Sequence, residues 1–154
     1  MNATYNNIVS LLTKYKIPYL VSNHEPVYNS NDIVGILNTD IDCESKSIAL
    51  DIEGKIYIFT IPILERLSVD KVKQITNVNK IAFLKTDKIQ SKLGVPLGAL
   101  SPFGYTNNIQ CYVSAEFLKR PYLNFNPGLN DTTFQITPFG INKLVSLGVI
   151  KIID

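Results

Sequence analysis

Apolar positions along the chain switch between two periods, and the switches divide it into elements. Ile8, Leu11, Leu12 and Tyr15 recur at helical spacing, which predicts an amphipathic helix over about Thr4 to Lys16, ended by Pro18. Tyr19 to Val21 is a short strand candidate, and Pro26 favours an extended conformation over His24 to Tyr28. Ser30 or Asn31 then caps a predicted short helix carrying Ile33, Ile36 and Leu37, followed by a loop over Asn38 to Asp42. Ser45 to Ile52 alternates cleanly: Ile48, Leu50 and Ile52 share one face, and Ala49, Asp51 and Glu53 share the other. Glu53-Gly54 predicts a tight hairpin turn, from which Lys55 to Ile61 returns as an apolar central strand closed by Pro62.

Further along, Ser68 caps a second predicted helix with Val69, Val72 and Ile75 buried. Ile81 to Leu84 shows no alternation, which predicts a strand covered on both faces. Thr86 or Asp87 caps a short helix through Leu93, with Gly94 as its stop. Gln110 to Ser114 is a strand, Glu116 to Lys119 a helical turn, Tyr122 to Phe125 extended and Thr132 to Thr137 a strand. Pro138 opens a last helix over Phe139 to Leu147, Gly148 stops it, and Val149 to Ile153 is a final edge strand. With 154 residues and no repeat, low-complexity tract or linker, the chain is expected to form one domain over 1–154. Such a domain buries roughly 70% of its unfolded surface, so it needs no disulfide or metal staple.

Between helix and strand, Gly94 to Gly104 is dense in glycine and proline yet stays apolar in between. A solvated linker would be polar, so this stretch predicts a tight, partly buried loop. Gly98 is free to take backbone angles closed to other residues and to let a ligand approach the main chain, and Pro102 holds Ser101 extended. Such a loop presents fixed N–H groups to an oxygen-rich ligand; the same residues also fit a plain structural turn. A second loop, Asn126 to Asp131, again pairs proline with glycine, and it too fits a plain turn.

Composition narrows the chemistry. The net charge of +2 does not draw the whole surface to nucleic acid, so any RNA contact must be local. Cys43 and Cys111 form no C-x-x-C pair and His24 is the only histidine, so neither a zinc site nor a cofactor is indicated. Two free thiols suit a reducing cytoplasm. The N-terminus is amphipathic rather than a signal peptide, and Ile56 to Leu64 is too short to span a bilayer. Lys46 has the parity of the apolar set of its strand, which aims its side chain inward at the strand's mouth; a lysine there needs a partner or ligand, unless it snorkels to water. His24 could donate to a ligand and Tyr28 could stack on a base or ribose, although a lone histidine also serves as a hydrogen-bonded loop residue.

Four segments stand in one order: His24-Glu25-Pro26-Val27, Lys46 at the head of a strand, Gly98-x-x-Ser101-Pro102-Phe103-Gly104, and Asn126-Pro127-Gly128 with Asn130 and Thr133. Together they resemble the YbaK/ProX family of aminoacyl-tRNA deacylases, which includes the editing domain inserted in bacterial prolyl-tRNA synthetases. The resemblance runs from about Val9 to Val145. It implies an α+β fold: a curved, mixed, largely antiparallel β-sheet flanked by helices, with the site between sheet and loops. It also implies hydrolysis of the ester joining a wrong amino acid to the terminal adenosine of tRNA.

On that resemblance, Lys46 lies near the terminal nucleotide and the ester, and acts with the main chain of Gly98 and Ala99. Leu100, Ser101, Pro102 and Phe103 surround the aminoacyl group, His24 and Tyr28 stand at the rim, and Asn126, Gly128, Asn130 and Thr133 close the other side. Two segments depart from the pattern: Asn126-Pro127-Gly128 replaces the His-Pro-Asn usual in the ProX-like branch, and Ser47, after the family lysine, replaces the usual Thr or Asn. Both bear on substrate identity and activity.

The sequence offers no Ser-His-Asp set, no cysteine–histidine pair and no metal cluster, so the expected mechanism is positioning plus electrostatics. The attacking water is then oriented by the substrate's own ribose hydroxyl. The expected substrate is a small amino acid, alanine or cysteine, on tRNA for proline, presented at the tRNA acceptor end. A prolyl-tRNA synthetase is a candidate partner, with no membrane involvement and a monomeric or weakly dimeric chain. Two other classes are open: a non-catalytic module that holds aminoacyl-tRNA or a nucleotide, and a regulatory domain that binds a free amino acid.

Overall fold

In the computed structural model, residues 2–29, 32, 40–106 and 108–154 are described. The helix expected on Ile33, Ile36 and Leu37, with its Ser30 or Asn31 cap, lies outside them. Helix α1 (Ala3–Lys14) starts where the Asn2 side chain accepts the Tyr5 N–H at 2.9 Å. It ends before Pro18, because Lys16 turns left-handed at φ 55°. Strand β1 (Leu20–Asn23) follows.

A short 3-10 turn (Ile41–Cys43) leads into β2 (Ser45–Ile52), which pairs antiparallel with β3 (Lys55–Pro62). Their two-residue turn has both φ values positive, 53° at Glu53 and 81° at Gly54, and Asp51 accepts the Gly54 N–H at 3.0 Å. That twist matches the twist of the paired strands. Helix α2 (Val69–Thr76), capped by Ser68, leads to β4 (Ala82–Phe83) and helix α3 (Thr86–Leu93). After the glycine-rich loop come β5 (Gln110–Ser114), a second 3-10 turn (Ala115–Lys119), β6 (Leu123–Phe125), β7 (Thr132–Ile136), helix α4 (Pro138–Ser146) and β8 (Lys151–Ile153).

The fold is mixed α+β, and its strands divide between two sheets where the sequence predicts one. The larger has order β4-β2-β3-β5-β8 and the smaller β1-β7-β6. Most ladders are antiparallel; β3–β5 and β5–β8 are parallel. One face of the large sheet, with Ala49, Ile58, Cys111 and Val113, packs against Ile8 and Leu12 of α1, Ile141 and Leu144 of α4, and Phe125, Phe134 and Ile136 of the small sheet. The opposite face, with Leu50, Ile52, Phe59 and Tyr112, packs under Val72 of α2. The apolar set that dominates the alternation of β2 thus serves the smaller core, and Ala49 belongs to the larger.

The sheets meet at the start of β2. Glu44 bridges to Asn124 of β6, whose side chain donates to Glu44 Oε1 at 3.0 Å, and Ser45 Oγ donates to the Asn124 carbonyl at 2.6 Å. All three residues are buried.

Three sequence expectations are corrected. β4 is an exposed two-residue edge strand, with Phe83 63% accessible, because it adds to the outside of β2; only Leu84 turns in and is buried. In α2 Val72 alone is buried and Ile75 is 41% accessible, so the helix rests on the sheet by a narrow stripe. Lys85 occupies the cap position of α3 without a side-chain bond, and Thr86 is the first helical residue.

Removing buried apolar volume from the larger core is expected to cost far more than trimming α2. Leu12→Ala should lower the unfolding free energy by about 2–5 kcal/mol. Ile75→Ala should change it by about 1 kcal/mol or less, since alanine's better helix propensity offsets lost contact. Urea unfolding of both variants checks the contrast.

Candidate functional site

The mouth of β2 opens into a cavity of about 200 Å³. Ser45, Lys46 and Ser47 form one wall, Thr86, Ile89 and Gln90 of α3 a second, and Pro96, Leu97, Gly98 and Leu100 a third; Val27, Tyr28, Asn29 and Asn126 complete it. Lys46 is the only charged residue of that lining, and it is half-buried with no ion pair or hydrogen bond among the described residues. Strand parity puts Lys46 with Ile48 and Leu50, away from Ser45 and Ser47, yet all three consecutive residues line the cavity because the strand begins at its edge. Ser47 and Thr60 share a hydroxyl hydrogen bond of 2.7 Å on the cavity side of the sheet.

Three loops build the remaining walls and are tied to one another through main-chain carbonyls. The Val27 N–H donates to Asn130 O at 2.7 Å and the His24 N–H to Asp131 O at 2.9 Å. The Asn126 amide donates to Gly98 O at 2.7 Å, and the Asn130 amide to Leu97 O at 3.1 Å. Gly98 sits at φ +80°, and a Cβ there would run into the Val27 carbonyl oxygen and stand 2.6 Å from Tyr28 Cα. The close approach that demands glycine is therefore made by the chain itself, where the sequence reading reserved it for a ligand. Ala99 is fully buried and its N–H closes a turn onto Pro96 O at 3.1 Å, so it has no donor for a substrate. Of the loop residues that line the cavity, Leu97, Gly98 and Leu100 have N–H groups with no acceptor among the described residues.

Of the residues singled out in the sequence, Tyr28, Lys46, Gly98, Leu100 and Asn126 come together around the cavity. Asn130 stands behind them, holding Leu97. The others take structural places. His24 is outside the lining: its Nδ1 donates to Glu25 O at 2.7 Å, which leaves Nε2 to accept the Thr133 hydroxyl at 2.8 Å. Both ring nitrogens are thus engaged within the chain, and Thr133 is buried beneath them. Ser101 is fully buried, donating to Phe103 O at 2.6 Å, while the Tyr105 hydroxyl donates to Ser101 O at 2.6 Å. Pro102 and Phe103 are buried, and Phe103 lines a different depression with Asn7 and Leu11. Gly128 accepts from the Asn2 amide at 2.6 Å and packs against the start of α1.

The sequence reading missed the α3 wall. Thr86, Ile89 and Gln90 have i, i+3, i+4 spacing and so share a helix face, a signal the sequence does carry. Pro96 and Leu97 carried none.

Among the described residues the lining contains one ammonium, three hydroxyls, three side-chain amides, a phenol and the N–H donors of the glycine-rich loop, with no carboxylate or imidazole. Such a set can hold phosphate or a developing oxyanion and position a water, but it supplies no side-chain base. Neither cysteine lines it. Burial pushes the Cys111 thiol up to about 12, and burial is also the largest influence raising Cys43. Among the described residues no cluster of three or more His, Cys, Asp or Glu is placed to hold a metal ion, and no helix is long and apolar enough to cross a membrane.

Two outcomes are expected. Gly98→Ala should cost at least about 1–3 kcal/mol for the left-handed backbone alone, and more for the displaced Val27–Tyr28 segment, read as a lowered thermal midpoint. Iodoacetamide should modify Cys111 in the native protein at pH 8 far more slowly than in urea. Because the folded thiol holds its proton more tightly than the unfolded one, the stability it supports is complete below about pH 9 and is lost as pH rises toward 12.

Comparison with known proteins places the fold and the family. The curated prolyl-tRNA editing protein ProX of Acetoanaerobium sticklandii is 25% identical over 144 residues, covering 90% of this chain and 88% of that one. The crystal structure of hypothetical protein APE2540 matches the fold with a TM-score of 0.82 at 15% identity, over 95% of this chain and 97% of that one. That of a proposed trans-editing enzyme for prolyl tRNA synthetase matches with a TM-score of 0.74 at 16% identity, over 100% and 97%. The sequence model of the aminoacyl-tRNA editing domain matches residues 24–144, a span that takes in every cavity-lining residue named above, and the chain belongs to that family.

Proposed function

We propose that the chain is a free-standing, one-domain trans-editing hydrolase that deacylates mischarged aminoacyl-tRNA. The observation that carries this reading is that Lys46, the single cation among the described lining residues, shares a small and otherwise neutral cavity with Gly98 and Leu100. In the reaction, water adds to the ester carbonyl carbon and the bond to the ribose oxygen breaks, giving a free amino acid and a tRNA hydroxyl. Lys46 stabilises phosphate charge or the developing oxyanion, and the Gly98 and Leu100 N–H groups fix the amino-acid end. No lining residue is a general base, so the substrate's ribose hydroxyl orients the water. The terminal adenosine lies at the rim by Tyr28, which is 52% accessible and free to stack.

The small volume supports a small amino acid, and the similarity to the prolyl-tRNA editing protein ProX supports alanine or cysteine on tRNA for proline. The work belongs to the cytoplasm, with a prolyl-tRNA synthetase as partner. A second reading, a module that binds aminoacyl-tRNA without cleaving it, is favoured by Asn126, whose amide is spent on Gly98 O where the family carries histidine.

Lys46→Ala should lower kcat by on the order of 10²-fold or more while the protein stays folded. A deacylation assay over a panel of mischarged tRNAs measures this: unchanged turnover removes Lys46 from the mechanism. Tight tRNA binding with no hydrolysis of any member selects the binding module.

A further inference from the structure

We propose that the hairpin end of the five-stranded sheet carries a second RNA contact, which holds the nucleic acid away from the cavity. The identity of the RNA rests on the aminoacyl-tRNA reading above; the contact itself rests on other residues. Lys55, Tyr57, Asn108, Gln110, Tyr112 and Lys151 line a shallow depression of about 300 Å³. They are placed by the register of three neighbouring strands: Tyr57 pairs with Gln110, and Tyr112 pairs with Lys151, so each pair shares a face.

The aromatic rings are already stacked. Tyr57 and Phe59 lie 6.4 Å apart at 10°, and Phe59 and Tyr112 lie 5.1 Å apart at 9°. Lys151 Nζ stands 5.9 Å from the Tyr112 ring centroid. Burial, and then the neighbouring Tyr57 phenol, raise the Tyr112 hydroxyl above its ordinary value, so it stays a neutral donor at physiological pH. Neither Lys55 nor Lys151 forms an ion pair among the described residues, and no carboxylate lines the depression.

A chain of net charge +2 attracts RNA only where its cations are concentrated and unpaired. Two exposed ammonium groups, two phenols, two amides and the half-buried Tyr57 ring, backed by the buried rings of Phe59 and Tyr112, are a set that grips a polynucleotide: cations and donors on phosphates, the Tyr57 ring against a base or ribose. A protein partner would be expected to meet a more apolar patch than this. The distance also suits one molecule touching both sites. Lys46 pairs with Ile61, and Tyr57 and Lys55 lie four and six residues back along β3. At about 3.3 Å per residue they are about 13–20 Å from it, or about four to six nucleotide steps of a stacked strand.

The test uses the full chain with Lys55→Glu, Lys151→Glu and the double variant, beside Lys14→Glu on α1 as a control. Fluorescence anisotropy measures binding of uncharged tRNA across a salt series. Hydrolysis is measured separately on an aminoacylated trinucleotide, which ends at the cavity. The double variant is expected to bind tRNA about tenfold or more weakly at low salt. The slope of log K against log salt should fall by about 0.7–0.9 for each lysine changed, and stay as it is in Lys14→Glu. Trinucleotide turnover should be unchanged.

Wild-type protein that binds no tRNA, or a double variant with unaltered affinity and slope, overturns the second contact. Equal slowing of the trinucleotide and the tRNA overturns it too, since the damage is then to the cavity or the fold. The two readings separate cleanly. Lost tRNA affinity in a protein that cleaves no ester keeps the contact and removes the deacylase. Trinucleotide hydrolysis with tRNA affinity untouched in the double variant does the reverse.

Discussion

The cavity depends on one contact, the backbone of Gly98 lying directly against the backbone of Val27 and Tyr28. No side chain fits between them, so the two loops share a wall with nothing compressible inside it. The other ties extend that wall: Asn126 to Gly98, Asn130 to Leu97, Val27 to Asn130 and His24 to Asp131. Each joins an N–H to a main-chain carbonyl, and none uses a charge. Loops built this way leave Lys46 as the only formal charge among the described lining residues, with no carboxylate among them to neutralise it. A cation so placed keeps its field for whatever enters, and in a partly desolvated cavity that field is stronger than in water.

The position of Lys46 depends in turn on how the sheets are joined. Glu44, Ser45 and Asn124 form a buried junction immediately before it, and Ile63, just beyond the strand that pairs with it, donates its N–H to Glu44 O at 3.1 Å. A lysine side chain has four rotatable bonds, and fixing the strand does not fix the ammonium. It does fix the Cα from which the ammonium reaches, which is the part a flexible surface loop could not provide. The same junction brings β6, and through it Asn126, to the cavity, so the cation and the loop opposite it are set by one buried contact.

Much of the scaffold was legible in the sequence because its signals are local. Strict alternation marks β2, Glu53-Gly54 marks the hairpin, and Pro138 with Gly148 brackets α4; each matches the structure within one or two residues. The errors fall where burial is decided by distant parts. Ile81 to Leu84 is apolar without being covered, since nothing in those residues says that β4 adds to an edge. Ile75 has the right helical phase, but α2 touches the sheet through Val72 alone. The site divides in the same way. Lys46 and Gly98 were recoverable by type and order, whereas the reason Gly98 must be glycine lies in Val27 and Tyr28, about seventy positions earlier, and has no local trace. Ala99, Ser101 and Phe103 belong to the same motif yet are buried in the core, where Ser101 and Phe103 are joined by a hydrogen bond within the loop.

On the proposed function, this division gives the buried half of the motif a part in selection. A pocket that excludes larger amino acids by shape gains only about 1–3 kcal/mol per methylene, and it gains even that only if its walls do not yield. A wall made of one loop would yield, since a free loop relaxes at small cost. Here Ser101 and Tyr105 fix the inner side of the glycine-rich loop, Ala99 closes its turn, and the Asn126 and Asn130 amides fix its outer side. Moving the wall outward would break several of these hydrogen bonds together, each worth about 0.5–1.5 kcal/mol when made and more when a buried partner is stranded. The resistance of the wall thus exceeds the strain that one added methylene can exert. On the proposed function, residues that never touch the substrate would hold the shape by which the pocket selects.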